Sequence, residues 1–520
     1  MHRATAPSRL VSRRRLLGAT ASVVGAAAIS ELSPSPALAA SVARQTARRA
    51  GSRASPTEAS DPLFRMLDEK IEAAMARYHI PGVAVGVLHN GQEYVRGYGV
   101  TNVDYPQPVD GDTLFRIGST TKTFTGTTVM RLVEQGMLDL NAPVRTYLPA
   151  LQLADESVAA RVTVRQLLNH SAGWLGDYFA EQGRGEDALA RYVAGMQQLP
   201  QLTPLGQMFA YNNAAVTLAG HVVATVAGKP YEAVVQELLL DPLGLTHSGF
   251  FTDTLVGYNL AACHDVVDDQ AVVQPPMWTM PRTLNPTGGL ISSARDQLRY
   301  ARFHLGDGTA DDGTALLTPQ SLAAMRSDPG PGGTIAVEID GIGVTWMLRR
   351  TAEGVRVVQH GGDWAGQHSG FFFVPERGFA MTALTNSEDG SKLTSELFGG
   401  DWALRQFVGL SDPPAVPRAL PPAQLAQYEG YYRGQILAPP GGPTDEALDV
   451  TIELSAADGG LRARLTGMGQ EIETTLAFYR DDFVLVTDDE GQSRRADFVR
   501  GPDGRVAWYR DGGRIHAYQG

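Results

Sequence analysis

Ser119 and Lys122 stand three positions apart in Gly118-Ser119-Thr120-Thr121-Lys122-Thr123-Phe124, at the head of a run with helical pattern that stops at Gly136. At three positions apart on a helix the two side chains share a face, so the lysine nitrogen can reach the hydroxyl. A serine hydroxyl alone is a weak nucleophile. A lysine stripped of water loses proton affinity and can take the serine proton, and a serine at a helix start lies where backbone N–H groups favour a developing anion. The spacing is common by chance, and a capping serine beside a surface lysine would read the same.

Two further groups raise the weight of that pair. Tyr211-Asn212-Asn213 follows the turn Thr203-Pro204-Leu205-Gly206 and precedes a helical run, which places it on a loop. Tyr211 there can relay a proton, and Asn213 is expected to hydrogen-bond both Lys122 and a substrate amide. His360-Gly361-Gly362-Asp363 then closes a strand, where the two glycines admit a substrate close to the backbone. The N–H groups of Ser119 and Asp363 would form an oxyanion hole.

Rival chemistries have weaker support. Asn169-His170-Ser171-Ala172-Gly173 comes within one residue of a G-x-S-x-G nucleophile elbow, but it follows a helical segment, Val164 to Leu168, and not a strand. Cys263, the one cysteine, has no histidine advertised beside it and reads as a passive thiol. The 11 histidines show no H-E-x-x-H spacing, so neither a metal nor another cofactor is expected.

The elements that must hold these residues form an α+β pattern. Asp61 caps a helix with Pro62 at its first position, followed by an apolar stripe of Leu63, Met66, Leu67, Ile71, Ala74 and Met75. Val83 to Leu88 and Glu93 to Arg96 read as strands joined at Asn90-Gly91. Strand-like runs return at Val355 to Gln359, Gly370 to Val374 and Phe379 to Leu384, before a helix from Leu393 to Phe407. The two ends are expected to share one antiparallel sheet, with the helical middle (Thr123 to Glu134, Val164 to Leu168, Ala214 to Val226, Tyr231 to Leu239) forming an inserted subdomain. Residues 61–410 make this first domain. A proline-rich linker spans 411–423, and residues 424–520 turn to period two, with about eight short strands that suggest a small barrel. The linker predicts that deleting residues 418–520 leaves a folded domain with an intact acylation site. The barrel is expected to cap the site, bind a partner or mediate assembly.

Residues 1–39 read as a processing segment: Ser12-Arg13-Arg14-Arg15-Leu16-Leu17 precedes an Ala- and Val-rich run that is too short to span a membrane, and Ala37-Leu38-Ala39 offers a cleavage site. It resembles a twin-arginine export signal, so a periplasmic or extracellular location is expected, with 40–60 as a flexible leader. The formal charge is -12, and this segment holds five Arg and one Glu, so its removal takes away four positive charges and leaves -16. That acidic balance argues against a nucleic-acid partner.

S-x-x-K, Y-x-N and H-x-G in this order resemble the serine β-lactamase and penicillin-binding-protein-like hydrolases: class C β-lactamases, D,D-carboxypeptidases, D-aminopeptidases and β-lactamase-fold esterases. The resemblance covers about residues 61–410, where Leu167 to Gly173 and Asn285 to Ser293 look like its scaffold turns. It implies Ser119 as nucleophile, Lys122 as base, Tyr211 as proton relay and deacylation partner, Asn213 as positioning amide, and His360 as site wall and hydrogen-bond donor. Gly361, Gly362 and Asp363 complete the substrate-binding edge. The region after Pro417 resembles the lipocalin-like domain found on some of these hydrolases. Enzymes specialised for β-lactams usually carry K-T-G at the third motif. His360 replaces that ammonium with a group mostly neutral at pH 7, which favours hydrolysis of an ester or amide in a small molecule or peptide, cell-wall peptide included. Weak or broad β-lactam hydrolysis and a non-catalytic cell-wall-binding or regulatory role remain as alternatives. Trp174, Tyr178 and Phe179 either line the cleft or pack beneath it.

Overall fold

The computed structural model describes residues 61–274, 280–327, 329–437, 447–467, 470–488 and 491–520. The export segment and leader expected at residues 1–60 lie outside the described residues.

Helix α1 (Pro62–Tyr78) starts where Asp61 accepts the Leu63 N–H at 2.9 Å and ends at His79, whose φ of 55° turns the chain out of the helix. Its buried face is Phe64, Leu67, Ile71, Ala74 and Tyr78, so Leu63, Met66 and Met75 of the expected stripe sit at the edge of the contact. The hairpin β1 (Gly82–His89) and β2 (Gln92–Gly99) turns at Asn90 and Gly91, both at positive φ as a two-residue turn of this hand requires. Downstream lie β3 (Gly341–Ile342), β4 (Met347–Arg350), β5 (Arg356–Trp364), β6 (Gln367–Val374) and β7 (Phe379–Thr385). They join the hairpin in a seven-stranded antiparallel sheet of order β2-β1-β7-β6-β5-β4-β3.

The sheet is a middle layer, which explains why its central strands are apolar without alternation. Val83, Val85, Val87, Phe372, Val374 and Met381 face α1 and the C-terminal helix, whereas Ala84, Phe371, Phe373 and Leu384 face the helical subdomain. That subdomain includes α2 (Thr121–Glu134), α3 (Asn213–Ala227) and α4 (Ala294–Leu305). Helix α4 lies against β1 and β7; Gly86 permits the approach, since a Cβ there would sit 2.8 Å from Leu298 Cγ. The helix expected from Leu393 to Phe407 is interrupted. A turn at Gly390–Thr394 widens over Ser395–Gly399, and α5 (Trp402–Val408) begins only after Gly400, because two successive glycines give the helix neither side-chain packing nor backbone restraint.

Beyond the linker, β8 (Gly430–Leu437), β9 (Ala447–Ala457), β10 (Gly460–Gly467), β11 (Gln470–Arg480), β12 (Phe483–Thr487), β13 (Ser493–Arg500), β14 (Val506–Asp511) and β15 (Arg514–Tyr518) close into an antiparallel barrel. Tyr432 and Arg433 of β8 pair with Tyr518 and Ala517 of β15 at the seam. The barrel is docked on the first domain, not tethered beside it. Leu437 and Phe179 hydrogen-bond across the junction, with Leu437 N–H to Asp177 O at 2.9 Å and Phe179 N–H to Leu437 O at 3.1 Å. The buried pair Arg510–Asp497 extends to the Phe209 carbonyl, 2.7 Å from Arg510 Nη1.

Candidate active site

Five threonines, Thr121, Thr123, Thr125, Thr127 and Thr128, make α2 a poor helix by intrinsic preference, yet all are buried. The helix is held by its surroundings, and its hydroxyls are satisfied locally: Thr127 Oγ1 donates to Thr123 O and Thr128 Oγ1 to Phe124 O, both at 2.9 Å. Ser119 sits on the tight turn Gly118–Thr120 that leads into α2. Gly118 has a φ of 48°, and a Cβ there would lie 2.6 Å from Asp363 N. Reciprocally, a Cβ on Gly362 would lie 2.6 Å from Ser119 N. Strand β5 therefore crosses directly over the serine turn, bringing together the backbone of Ser119 and Asp363. Gly362 is required by this crossing; Gly361 faces solvent under looser constraint, 3.3 Å from Ser369 O for an added Cβ.

Lys122 is fully buried, with Nζ 2.9 Å from Ser119 Oγ and 2.8 Å from the Thr287 carbonyl. Burial, reinforced by the Arg514 cation, pushes its pKa well below the usual lysine range, and the Asp177 and Asp363 carboxylates oppose this only in part. A neutral amine can serve these partners, with one N–H to Thr287 O and its lone pair toward the Ser119 hydroxyl; Nζ also lies 5.0 Å from the Tyr211 ring centroid. Tyr211 is buried and hydrogen-bonded to Ser119 through its hydroxyl; burial drives its pKa above the ordinary tyrosine value, which keeps the phenol protonated. Its ring stacks on His170 at 4.4 Å, and His170 Nδ1 accepts the Asn212 N–H at 2.9 Å, so the turn after Val164–Leu168 positions the tyrosine.

Asn213 departs from its expected partner. Its Nδ2 donates to Asp177 Oδ1 at 2.8 Å and its Oδ1 accepts from Thr287 Oγ1 at 3.0 Å; Thr287 O, not Asn213, takes the lysine N–H. Because an ionised carboxylate only accepts, the Asp177 contact fixes which way the amide faces. His360 is buried with Nδ1 2.6 Å from Gly361 O. A carbonyl cannot donate, so Nδ1 carries the proton and Nε2 is left as an acceptor. Burial and the nearby Lys122 charge hold the ring neutral down to about 3. His360 is a wall of the site, as the motif implies, but its free nitrogen accepts instead of donating. The Asp363 side chain is half-exposed and pairs with His368 Nδ1 at 2.7 Å.

Arg514 carries the largest surprise. The hairpin between β14 and β15 enters the cleft: Tyr211 N–H donates to Gly513 O at 2.8 Å, and the Arg514 guanidinium lies 4.8 Å from the Tyr211 ring centroid. Arg514 Nε donates to Asp177 Oδ2 at 3.1 Å, with side chains 20% and 6% exposed respectively, so the barrel completes the polar chain Arg514–Asp177–Asn213–Thr287–Lys122. These contacts argue against the expectation that the barrel can be removed without touching the site. Nothing in the sequence signals that the Gly512-Gly513 turn enters the cleft; Thr287 acts partly through a backbone carbonyl, which no residue type advertises.

The cleft has a volume of about 840 Å³ and is lined by Ser119, Tyr211, Asn213 and His360 together with barrel residues. Trp174 and Phe179 line it, whereas Tyr178 packs beneath against Tyr192. Ser171 of the rival elbow is buried and bonds Asn169 at 2.6 Å. Cys263 is buried, which pushes its thiol up to about 12. Among the described residues no group of three or more His, Cys, Asp or Glu side chains is placed to hold a metal.

A family profile described as Beta-lactamase matches residues 67–399. The chain belongs to the beta-lactamase family. Penicillin-binding protein 4 of Amycolatopsis lactamdurans is 32% identical over 363 residues, 69% of this chain and 95% of that protein. Among solved structures, SurE superposes with a TM-score of 0.69 at 26% identity, covering 88% of this chain and 99% of that one. The class C beta-lactamase from Rhodobacter sphaeroides, at 24% identity and a TM-score of 0.52, shares the fold over 64% of this chain and 97% of its own. The SurE match, at 88% of this chain, extends beyond the length of the first domain.

Proposed function

We propose that the chain is an exported serine acyl hydrolase that cleaves an ester or amide through an acyl-enzyme on Ser119. The observation that carries this is the 2.9 Å contact between Ser119 Oγ and a fully buried Lys122 whose proton affinity is depressed. Neutral Lys122 takes the hydroxyl proton as Oγ attacks the acyl carbon, and the Ser119 and Asp363 N–H groups receive the oxyanion. The Tyr211 phenol, kept protonated and bonded to Ser119, passes its proton to the leaving group and is left as phenolate, with the serine proton on Lys122; in the second half-reaction the phenolate takes a proton from the water that attacks the acyl carbon, and Lys122 returns its proton to Ser119 Oγ as that oxygen leaves, which restores both groups.

The substrate is an ester, a D-amino-acid amide or a D-Ala-D-Ala-type peptide. The neutrality of His360 supports that range over dedicated β-lactam hydrolysis, while Arg514 returns a cation to the same cleft and supports acyl donors with a carboxylate. Export is supported by Arg13-Arg14-Arg15 ahead of the apolar run. The test is kcat/KM across p-nitrophenyl esters, D-amino-acid amides, D-Ala-D-Ala peptides and nitrocefin. Turnover of an ester or amide that disappears in Ser119→Ala is expected; nitrocefin as the best substrate by far would sink the substrate assignment, and turnover unchanged in Ser119→Ala would sink the mechanism.

A further inference from the structure

Inward-facing residues of the barrel change character along its axis. At one end Tyr432, Leu454, Leu461, Phe478, Phe498 and Tyr509 fill the lumen as a buried core. At the other end inward alternation continues through Ile436 on β8, Val450 on β9 and Leu465 on β10, yet these three are only partly buried. A closed barrel leaves such side chains exposed only where its interior is unfilled. Ile436, Val450 and Leu465 line the same cavity as Ser119 and Tyr211. The open half of the lumen is thus continuous with the acylation cleft, and its volume of about 840 Å³ falls near the upper end of the roughly 300–1,000 Å³ usual for ligand pockets.

The lining is mixed. Opposite the three apolar residues stands the Arg494–Asp511 pair, bonded through both guanidinium arms at 2.9 and 2.6 Å. His516 borders the same space and is 7% exposed. Arg494 and Asp511 keep 27% and 13% of their side chains exposed and need polar partners on that side, which points to a ligand with a polar backbone. A hydrocarbon chain would cover the apolar side while leaving the ion pair stripped of water.

We propose that the open half of the barrel lumen is a subsite for the part of a peptidyl acyl donor remote from the scissile bond. One apolar side chain rests on Ile436, Val450 and Leu465, and a backbone amide lies against the Arg494–Asp511 pair. This rests on the acyl-enzyme reading and extends it: the barrel makes the enzyme selective for a peptide several residues long. The acyl donor then differs from a single-residue ester only in what it places far from Ser119.

The test compares kcat/KM for a tetrapeptidyl and an acetyl-aminoacyl p-nitrophenyl ester with the same scissile residue, in the full chain and in Val450→Trp, with Ile436→Phe as a second variant in case the first does not fold. The wild type should prefer the tetrapeptide by at least about tenfold, the scale of one filled apolar pocket, and the preference should collapse toward one in either variant. A preference that persists in a folded variant overturns the subsite. A wild type that prefers a decanoyl ester to the tetrapeptide, with that preference lost on filling the lumen, overturns the peptide as occupant. Calorimetry of the tetrapeptide acid with Ser119→Ala, alone and combined with Val450→Trp, needs no acylation: binding lost in the double variant supports the subsite even where the acyl mechanism fails, and equal binding refutes it.

Discussion

Replacing Lys122 by Met should inactivate the enzyme and stabilise it, with a dependence on pH that reports the charge state of the lysine. Releasing the proton of a lysine with an ordinary pKa of ~10.4 at pH 7 costs about 5 kcal/mol. Against this stand two hydrogen bonds, to Ser119 and Thr287, together contributing about 2 kcal/mol. Met fills a comparable volume without titrating, so the variant should gain about 3 kcal/mol at pH 7. The sign follows from the depressed folded pKa: the unfolded chain binds more protons than the native one up to ~10.4, so wild-type stability rises with pH, by about 1.4 kcal/mol per unit. The Met variant lacks that rise. Its advantage should therefore shrink from about 3 kcal/mol at pH 7 to near zero at pH 9. Urea unfolding of both proteins at pH 7, 8 and 9, followed by tryptophan fluorescence, measures the gap. A gap that stays constant over those two units would mean that Lys122 remains protonated in the fold and cannot be the base at pH 7.

Arg514→Gln should cost about 3–5 kcal/mol, because it leaves the buried Asp177 carboxylate without its cation, and Asp177→Asn in the same protein should recover most of the loss in an unfolding measurement. Deleting residues 418–520 should abolish phosphonate labelling even where the remaining domain folds, since the deletion takes Arg514 and uncovers the Tyr211 N–H; normal labelling kinetics would show that the barrel is dispensable. His360→Asn should leave the acid limb of the kcat/KM profile in place, because His360 is held neutral to about 3 and the titrating base is Lys122; a limb that vanishes would reassign the base.

What could be read from the sequence was what depends on local period and turn chemistry. The Ser119–Lys122 spacing needs only a helix, the Asn90-Gly91 hairpin only two positive φ angles, and the barrel only alternation, so each is legible over a few residues. Contacts made by the docking of two domains leave no such trace. Arg514 is one arginine among many until β14 and β15 place it over Tyr211, and Asp177 has no signature until Arg514 and Asn213 converge on it. The acceptor role of His360 follows from the neighbouring Gly361 carbonyl, and the lysine's partner is the carbonyl of Thr287; both are properties of backbone placement. The break in the helix after Gly399 shows the opposite error, where apolar periodicity outweighed two adjacent glycines whose cost was legible all along.

Whether Ser119, activated by Lys122, becomes acylated is decided by intact-mass and peptide-map analysis after brief exposure to a fluorophosphonate. One adduct is expected, on the peptide carrying Ser119, absent from Ser119→Ala and formed at least about a hundredfold more slowly in Lys122→Ala. An adduct on Ser171 or Cys263, or labelling of Ser119→Ala at the wild-type rate, would contradict it.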